Sequence, residues 1–195
     1  MTISEIQTDT RFWQRMLRLA GYYTGKVDGI AGPLTRAAEA KWLTEAQRAA
    51  KEYGTYDDRS EAVIATLLPQ AQVLARRWMS AATKEAVRQR VCVKLIDGTR
   101  SYKEQNRLYA KRPKVTNARG GSSWHNFGLA FDFGVFSEDG KKYYGESPLY
   151  KVLGKLATAI PGATWGGTWT SIVDEPHIQL ATFNTVKAAR EAFEQ

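Results

Sequence analysis

This 195-residue chain has two histidines, and both stand in segments that also carry carboxylates. His125 lies in Ser123-Trp124-His125-Asn126-Phe127-Gly128-Leu129-Ala130-Phe131-Asp132, and His177 closes Asp174-Glu175-Pro176-His177. Zinc takes neutral imidazole and carboxylate ligands, and a catalytic site usually holds the ion by three protein groups with one position open to water. His125, Asp132 and His177 form such a set, two nitrogens and one oxygen. Taken singly the pieces are weak, because a lone histidine is commonly a satisfied core or surface residue and short patterns recur by chance. The weight lies in the whole pattern.

Hydrophobic spacing around these residues mixes helix and strand. Phe12, Trp13, Met16, Leu17 and Leu19 are placed as on an amphipathic helix over 11–20, closed by Gly21. Gly21, Gly25, Gly29, Gly32 and Pro33 then mark a turn-rich connection, and a second helix starts at about Pro33 with Ala37, Ala38, Trp42 and Leu43. Residues 44–60 read as a helix end and a linker. Pro69 suits the first turn of a helix reaching towards Val87, with Val73, Leu74 and Trp78 as its core stripe and Arg76 and Arg77 as its solvated face.

Val91–Ile96 reads as a strand. Ser101 with Glu104 makes a capping box, which starts a helix there and leaves Arg100 at the junction. Lys111 to Ser123, including Lys114 and Arg119, is rich in basic and small residues and reads as a mobile rim. Leu129, Phe131 and Phe133 should face the core of a strand, with Ala130 and Asp132 towards a cleft. A helix over 150–160, an aromatic glycine loop from Trp165 to Trp169, a short strand over 177–180 and a last helix over 184–193 complete the chain. His177 and Gln179 share one face of that short strand.

Charge and composition narrow the partners. A net charge of +8 favours something anionic. The basic residues are spread along the chain with no nucleic-acid motif, so nucleic acid is not expected. No apolar run approaches the ~20 residues of a membrane span, so stable membrane insertion is not expected. Met1 to Thr10 has neither the basic nor the apolar region of an export signal. Cys92 is the only cysteine, which excludes an intrachain disulfide, and in its strand it reads as an inert thiol.

The pattern S-x-H-x2-G-x-A-x-D followed by D-x-P-H resembles the VanY-type zinc peptidases of cell walls, a family of D-alanyl-D-alanine carboxypeptidases, dipeptidases and phage endolysins. Here it reads Ser123, His125, Gly128, Ala130 and Asp132, then Asp174, Pro176 and His177. Thr99-Arg100-Ser101 with Glu104-Gln105 and Leu108-Tyr109, and Trp165-Gly166-Gly167-Thr168-Trp169, agree with the endolysin branch. The resemblance covers roughly residues 58–183.

It implies a Zn2+ cofactor on His125, Asp132 and His177, and Asp174 as general base, with the adjacent, longer Glu175 a physically plausible rival. Arg100 would stabilise the oxyanion or hold a substrate carboxylate, or else serve a structural ion pair. Gln105, Trp165 and Trp169 would shape the pocket, and Ser123 would support it. Upstream, G-Y-Y-x-G-x-V-D-G-x-x-G-P-x-T over 21–35 resembles a small three-helix peptidoglycan-binding domain.

The expected fold is therefore α+β: a helical wall-binding module over 1–57, then over 58–195 a zinc peptidase domain with an antiparallel sheet flanked by helices. Its expected work is that of a phage endolysin cutting the L-alanyl-D-glutamate bond of peptidoglycan, the substrate and binding target. It would be a monomer held in the host cytoplasm until a holin releases it. The alternatives are a D-alanyl-D-alanine carboxypeptidase or dipeptidase and a non-catalytic wall-binding protein.

Overall fold

The computed structural model describes residues 1–113 and 115–195; Lys114, in the expected rim, lies outside them. The elements run α1 (Ile3–Thr8), α2 (Thr10–Leu19), α3 (Pro33–Tyr53), α4 (Asp58–Thr66), α5 (Pro69–Arg88), β1 (Val91–Asp97), α6 (Tyr102–Ala110), β2 (Ala130–Ser137), α7 (Leu149–Lys155), β3 (Ala163–Trp165), β4 (His177–Leu180) and α8 (Val186–Glu194). Short 3-10 turns at Trp124–Phe127, Leu156–Ala159 and Gly166–Thr168 link them. The strands form one antiparallel sheet in the order β1-β2-β4-β3, so the fold is α+β as the patterning indicates.

Local chemistry sets most boundaries. Asp9 caps α2 by accepting from the Phe12 amide at 3.1 Å, and Gly21 beyond its end sits at φ +80°. Pro33 and Pro69 occupy the first turns of α3 and α5, where a missing amide costs no helical hydrogen bond. Ser101 caps α6 through the Glu104 amide at 3.0 Å.

α1 and α4 are absent from the sequence reading. Both are short, with Ile6 the one buried residue of α1 and Ser60, Ile64 and Thr66 those of α4, too little to make a 3.6-residue stripe. Arg76 corrects a second expectation. It is not on a solvated face but 5% exposed, gripping Glu61 through both guanidinium arms at 2.8 and 2.7 Å and the Gly54 carbonyl at 2.8 Å. That network fastens the turn between α3 and α4 onto α5.

Buried apolar residues form one cluster running from Ile6 in α1 to Phe193 in α8. Trp78 packs on Phe131 and Phe133 beneath the sheet. Phe12 of α2 meets Phe193 edge-on at 5.4 Å, and Phe193 in turn meets Phe127 at 5.5 Å. Helices α1–α3 therefore share a core with the sheet that follows. Tyr23 and Trp42, two of the aromatics weighed for sugar stacking, are core residues 6% and 3% exposed, and Tyr22 is the partly exposed one.

Within the expected rim, residues 116–121 are hydrogen-bonded to α6 and to the 3-10 turn at Trp124–Phe127. Gln105 donates to Thr116 Oγ1 and the Ala118 carbonyl, while Asn106 and Asn126 accept from the Gly120 and Gly121 amides.

Candidate metal centre

Three elements deliver the site. His125 sits in the 3-10 turn before β2, Asp132 on β2 and His177 at the start of β4. Asp132 and His177 are direct partners across the antiparallel pair β2–β4, where facing side chains stand about 4.5–5.5 Å apart at Cβ. The turn ends at Gly128 with φ +64°, a left-handed position suited to glycine, which redirects the chain into β2.

The ligand atoms converge. His125 Nε2 lies 3.2 Å from His177 Nδ1 and 3.3 Å from Asp132 Oδ1, and His177 Nδ1 lies 3.1 Å from the same oxygen. His125 Nδ1 is 2.6 Å from the Gly98 carbonyl, which can only accept, so that nitrogen carries the hydrogen and Nε2 presents its lone pair. His177 Nε2 is 3.0 Å from Gln179 Oε1, which leaves Nδ1 as the lone-pair nitrogen. Three acceptors a little over 3 Å apart repel one another unless a cation or a proton lies between them.

A tetrahedral ion with bonds of about 2.0–2.1 Å spaces its ligands roughly 3.3 Å apart, so the donor set fits a small divalent metal. Among the described residues this is the one His/Cys/Asp/Glu group so arranged. Burial works against the Asp132 charge, but the charges of and hydrogen bonds from His125 and His177 outweigh it and hold the carboxyl well below its usual range. For His177 burial is likewise opposed by Asp132, and the net direction is upward.

Around the ligands lies a supporting layer. Arg100 gives Nε to Asp97 at 2.9 Å, Nη1 to Gln105 at 3.3 Å and Nη2 to Asp132 Oδ2 at 2.9 Å. In this arrangement the guanidinium holds the ligand carboxylate, and Gln105 joins it to the 116–118 loop. The Arg100 amide also donates to the His125 carbonyl at 2.9 Å, and Asn126 Nδ2 to the Arg100 carbonyl at 3.0 Å. Ser123 is partly buried, its carbonyl accepting from the Asn126 amide.

Asp174 and Glu175 diverge. Burial pushes the Asp174 carboxyl up and the nearby Asp132 charge adds to it, against the pull of His177, His125 and Arg100. Glu175 turns instead towards Lys151, its carboxylate 3.7 Å from Nζ, while its carbonyl accepts from Trp165 Nε1 at 2.7 Å. Glycine in the Trp165–Trp169 loop allows the approach: a Cβ on Gly166 would overlap the Asp174 carbonyl. Trp169 lies over the His177 ring with centroids 5.1 Å apart.

Asn126, Asp97 and the Gly98 carbonyl were not singled out by the sequence. Asn126 neighbours a ligand, a weak hint, but a backbone carbonyl bonded across 27 residues has no signature.

Residues 116–180 match the family described as D-alanyl-D-alanine carboxypeptidase. This match covers a third of the chain and is a similarity of that segment to the family. All three candidate ligands and Asp174 fall inside it. The chain is also similar to the peptidoglycan L-alanyl-D-glutamate endopeptidase CwlK of Bacillus subtilis, at 38% identity across 45% of this chain and 60% of that protein. The chain thus spans 60% of the length of this curated relative. Its fold is similar to the crystal structure of the Serratia marcescens L-Ala D-Glu endopeptidase ChiX, with a TM-score of 0.50 and 21% identity over 65% of this chain and 89% of that one. The matched segment thus carries His125, Asp132, His177 and Asp174, while Arg100, Asp97 and Gln105 lie outside it.

Proposed function

We propose that the chain is a zinc peptidase that hydrolyses the L-alanyl-D-glutamate bond of peptidoglycan stem peptides. The carrying observation is the convergence of His125 Nε2, Asp132 Oδ1 and His177 Nδ1, with Asp174, whose carboxyl burial pushes up, three residues before His177. Zn2+ held by those three atoms would supply Lewis acidity, lowering the pKa of a bound water towards neutrality and polarising a carbonyl.

Asp174 takes the proton of the attacking water as the C–O bond forms and returns it to the amine nitrogen as the C–N bond breaks. Its upward-shifted carboxyl suits both halves of that transfer. Glu175, engaged with Lys151, takes no part. Arg100 fixes Asp132 and places positive charge beside the developing oxyanion. Gln105 and Trp169 shape the cleft wall.

The likeness to CwlK supports the choice of bond. A second reading, removal of a terminal D-alanine, uses the same groups and is favoured by the description of the matched family. For the biological setting we read a monomeric phage endolysin, held in the host cytoplasm and released by a holin. The endolysin-type motifs and the aspartate at 174 support this, since many bacterial carboxypeptidases carry glutamate at the matching position. The N-terminal helices would hold the wall, and a groove of about 290 Å³ beside Tyr22, Lys41, Thr44 and Glu45 offers a place for it.

Mass spectrometry of peptidoglycan digested by the wild type, a chelator-treated sample and Asp174→Ala tests the reading. New N-terminal D-glutamate on intact glycan, lost in both controls, is the expected result. Free D-alanine would move the chain to the carboxypeptidase reading. Wall binding without any product would refute an enzyme.

A further inference from the structure

The carbonyl that orients His125 belongs to Gly98, in a turn with no regular structure of its own. What holds that turn is the corner between α4 and α5. Thr66, the last residue of α4 and 1% exposed, accepts from the Thr99 amide at 3.1 Å through Oγ1 and donates that hydroxyl to the Val63 carbonyl at 2.7 Å. Its own carbonyl accepts from Thr99 Oγ1 at 2.5 Å, and Thr99 is likewise 1% exposed. A Cβ on Gly98 would come within 2.7 Å of Thr66 Oγ1, so nothing separates the two segments.

Two residues further on, the Leu68 amide donates to the Gly128 carbonyl at 2.9 Å. The corner Thr66–Leu68 thus grips both segments that flank His125. It holds Gly98 at the ring and Gly128 at the end of the turn that bears it.

We propose that Thr66 is a positioning residue of the metal centre. Its two hydrogen bonds to Thr99 fix the Gly98 carbonyl, and that carbonyl selects the His125 tautomer and aims Nε2 at Asp132 and His177. Thr66 touches neither metal nor substrate, and the inference rests on metal binding by the three ligands. Partners that orient a ligand in this way affect metal affinity by roughly 10–100-fold.

Ser60 is the internal control. It lies on the same helix, is fully buried, accepts from the Leu95 amide at 3.0 Å and donates to Asp57 at 2.6 Å. It therefore anchors the middle of β1, not the turn at Gly98.

The test is Co2+ affinity by chelator competition, read where circular dichroism shows every variant folded. Thr66→Val keeps the shape without the hydroxyl and should weaken Co2+ binding about 10-fold. Thr66→Ser should restore it to within about twofold, and Ser60→Ala should lower the melting temperature with affinity kept within about twofold. Should Thr66→Val not fold, Thr99→Val removes the donor from the other side and carries the same expected loss. Unchanged affinity in the valine variant, or an equal loss in Ser60→Ala, overturns the positioning role. A wild type that takes up no Co2+ overturns the metal reading beneath it.

Discussion

Substituting Gly128 by alanine joins backbone strain to close packing directly behind the candidate ligand His125. The residue sits at φ +64°, where a β-carbon costs roughly 1–2 kcal/mol. That carbon would stand 2.7 Å from Met16 Cε, 3.1 Å from the Leu68 amide nitrogen and 3.2 Å from Thr99 Oγ1. The methionine tip can swing away, but the Leu68 amide is backbone and already bonded to the Gly128 carbonyl. Overpacking of this kind costs about 1–3 kcal/mol, so the sum is roughly 2–5 kcal/mol. For a chain of this size each kcal/mol lowers the melting temperature by about 2–4 °C, which puts the expected loss at roughly 4–20 °C.

Gly21→Ala isolates the backbone part, since Gly21 has φ +80° and nothing within 4 Å of the added carbon. Thermal unfolding followed by circular dichroism should find Gly128→Ala the worse of the two by at least about 1 kcal/mol. Adding Met16→Ala should recover part of that difference in a double-mutant cycle. Equal losses at the two glycines, or no coupling to Met16, would show that the contact behind His125 is not tight.

Asp174→Asn should lower kcat by about 10²–10⁴-fold with bound metal retained, whereas Glu175→Gln should stay within about threefold, both measured on a soluble stem peptide. Arg76→Met should cost about 3 kcal/mol in urea unfolding by stranding Glu61, against under about 0.5 kcal/mol for the exposed Arg77→Ala. Chelation should lower the melting temperature, since an ion at 1,000 times its Kd contributes about 4 kcal/mol, and His177→Ala should abolish the difference. Hydrogen bonds from Gln14 and then the Ile30 amide hold the Asp28 carboxyl below its ordinary value, so its contribution is present above about pH 4 and fades as pH falls. Asp28→Asn should accordingly flatten the acid limb of stability against pH, and an unchanged limb would remove Asp28 from the account.

Much of the centre was legible because its chemistry admits few residue types. Two histidines and an aspartate stand on segments whose alternation turns Asp132 and His177 the same way. The pairing of His177 with Gln179 followed from a two-residue period that needs no tertiary knowledge. Helices opened by Pro33, Pro69 and Ser101 were legible for the same local reason. What failed was the inference from polarity to exposure at Arg76, though it held for Arg77. Arg76 was read as solvated, but its guanidinium is bonded by groups 15 and 22 residues away. Tyr23 and Trp42 could be surface or core on spacing alone, and packing put both inside.

Residue identity and short periodicity by themselves picked out His125, Asp132 and His177 as candidate ligands, the strand faces that present Asp132 and His177, and the α+β character, because each rests on chemistry within a few residues. Tertiary structure alone decided that Glu175 turns towards Lys151, that Arg100 holds Asp132, and that the corner at Thr66 clamps the turn behind His125. The reason is physical: a buried polar group is defined by its partner, and these partners meet only when separate segments of the chain pack together.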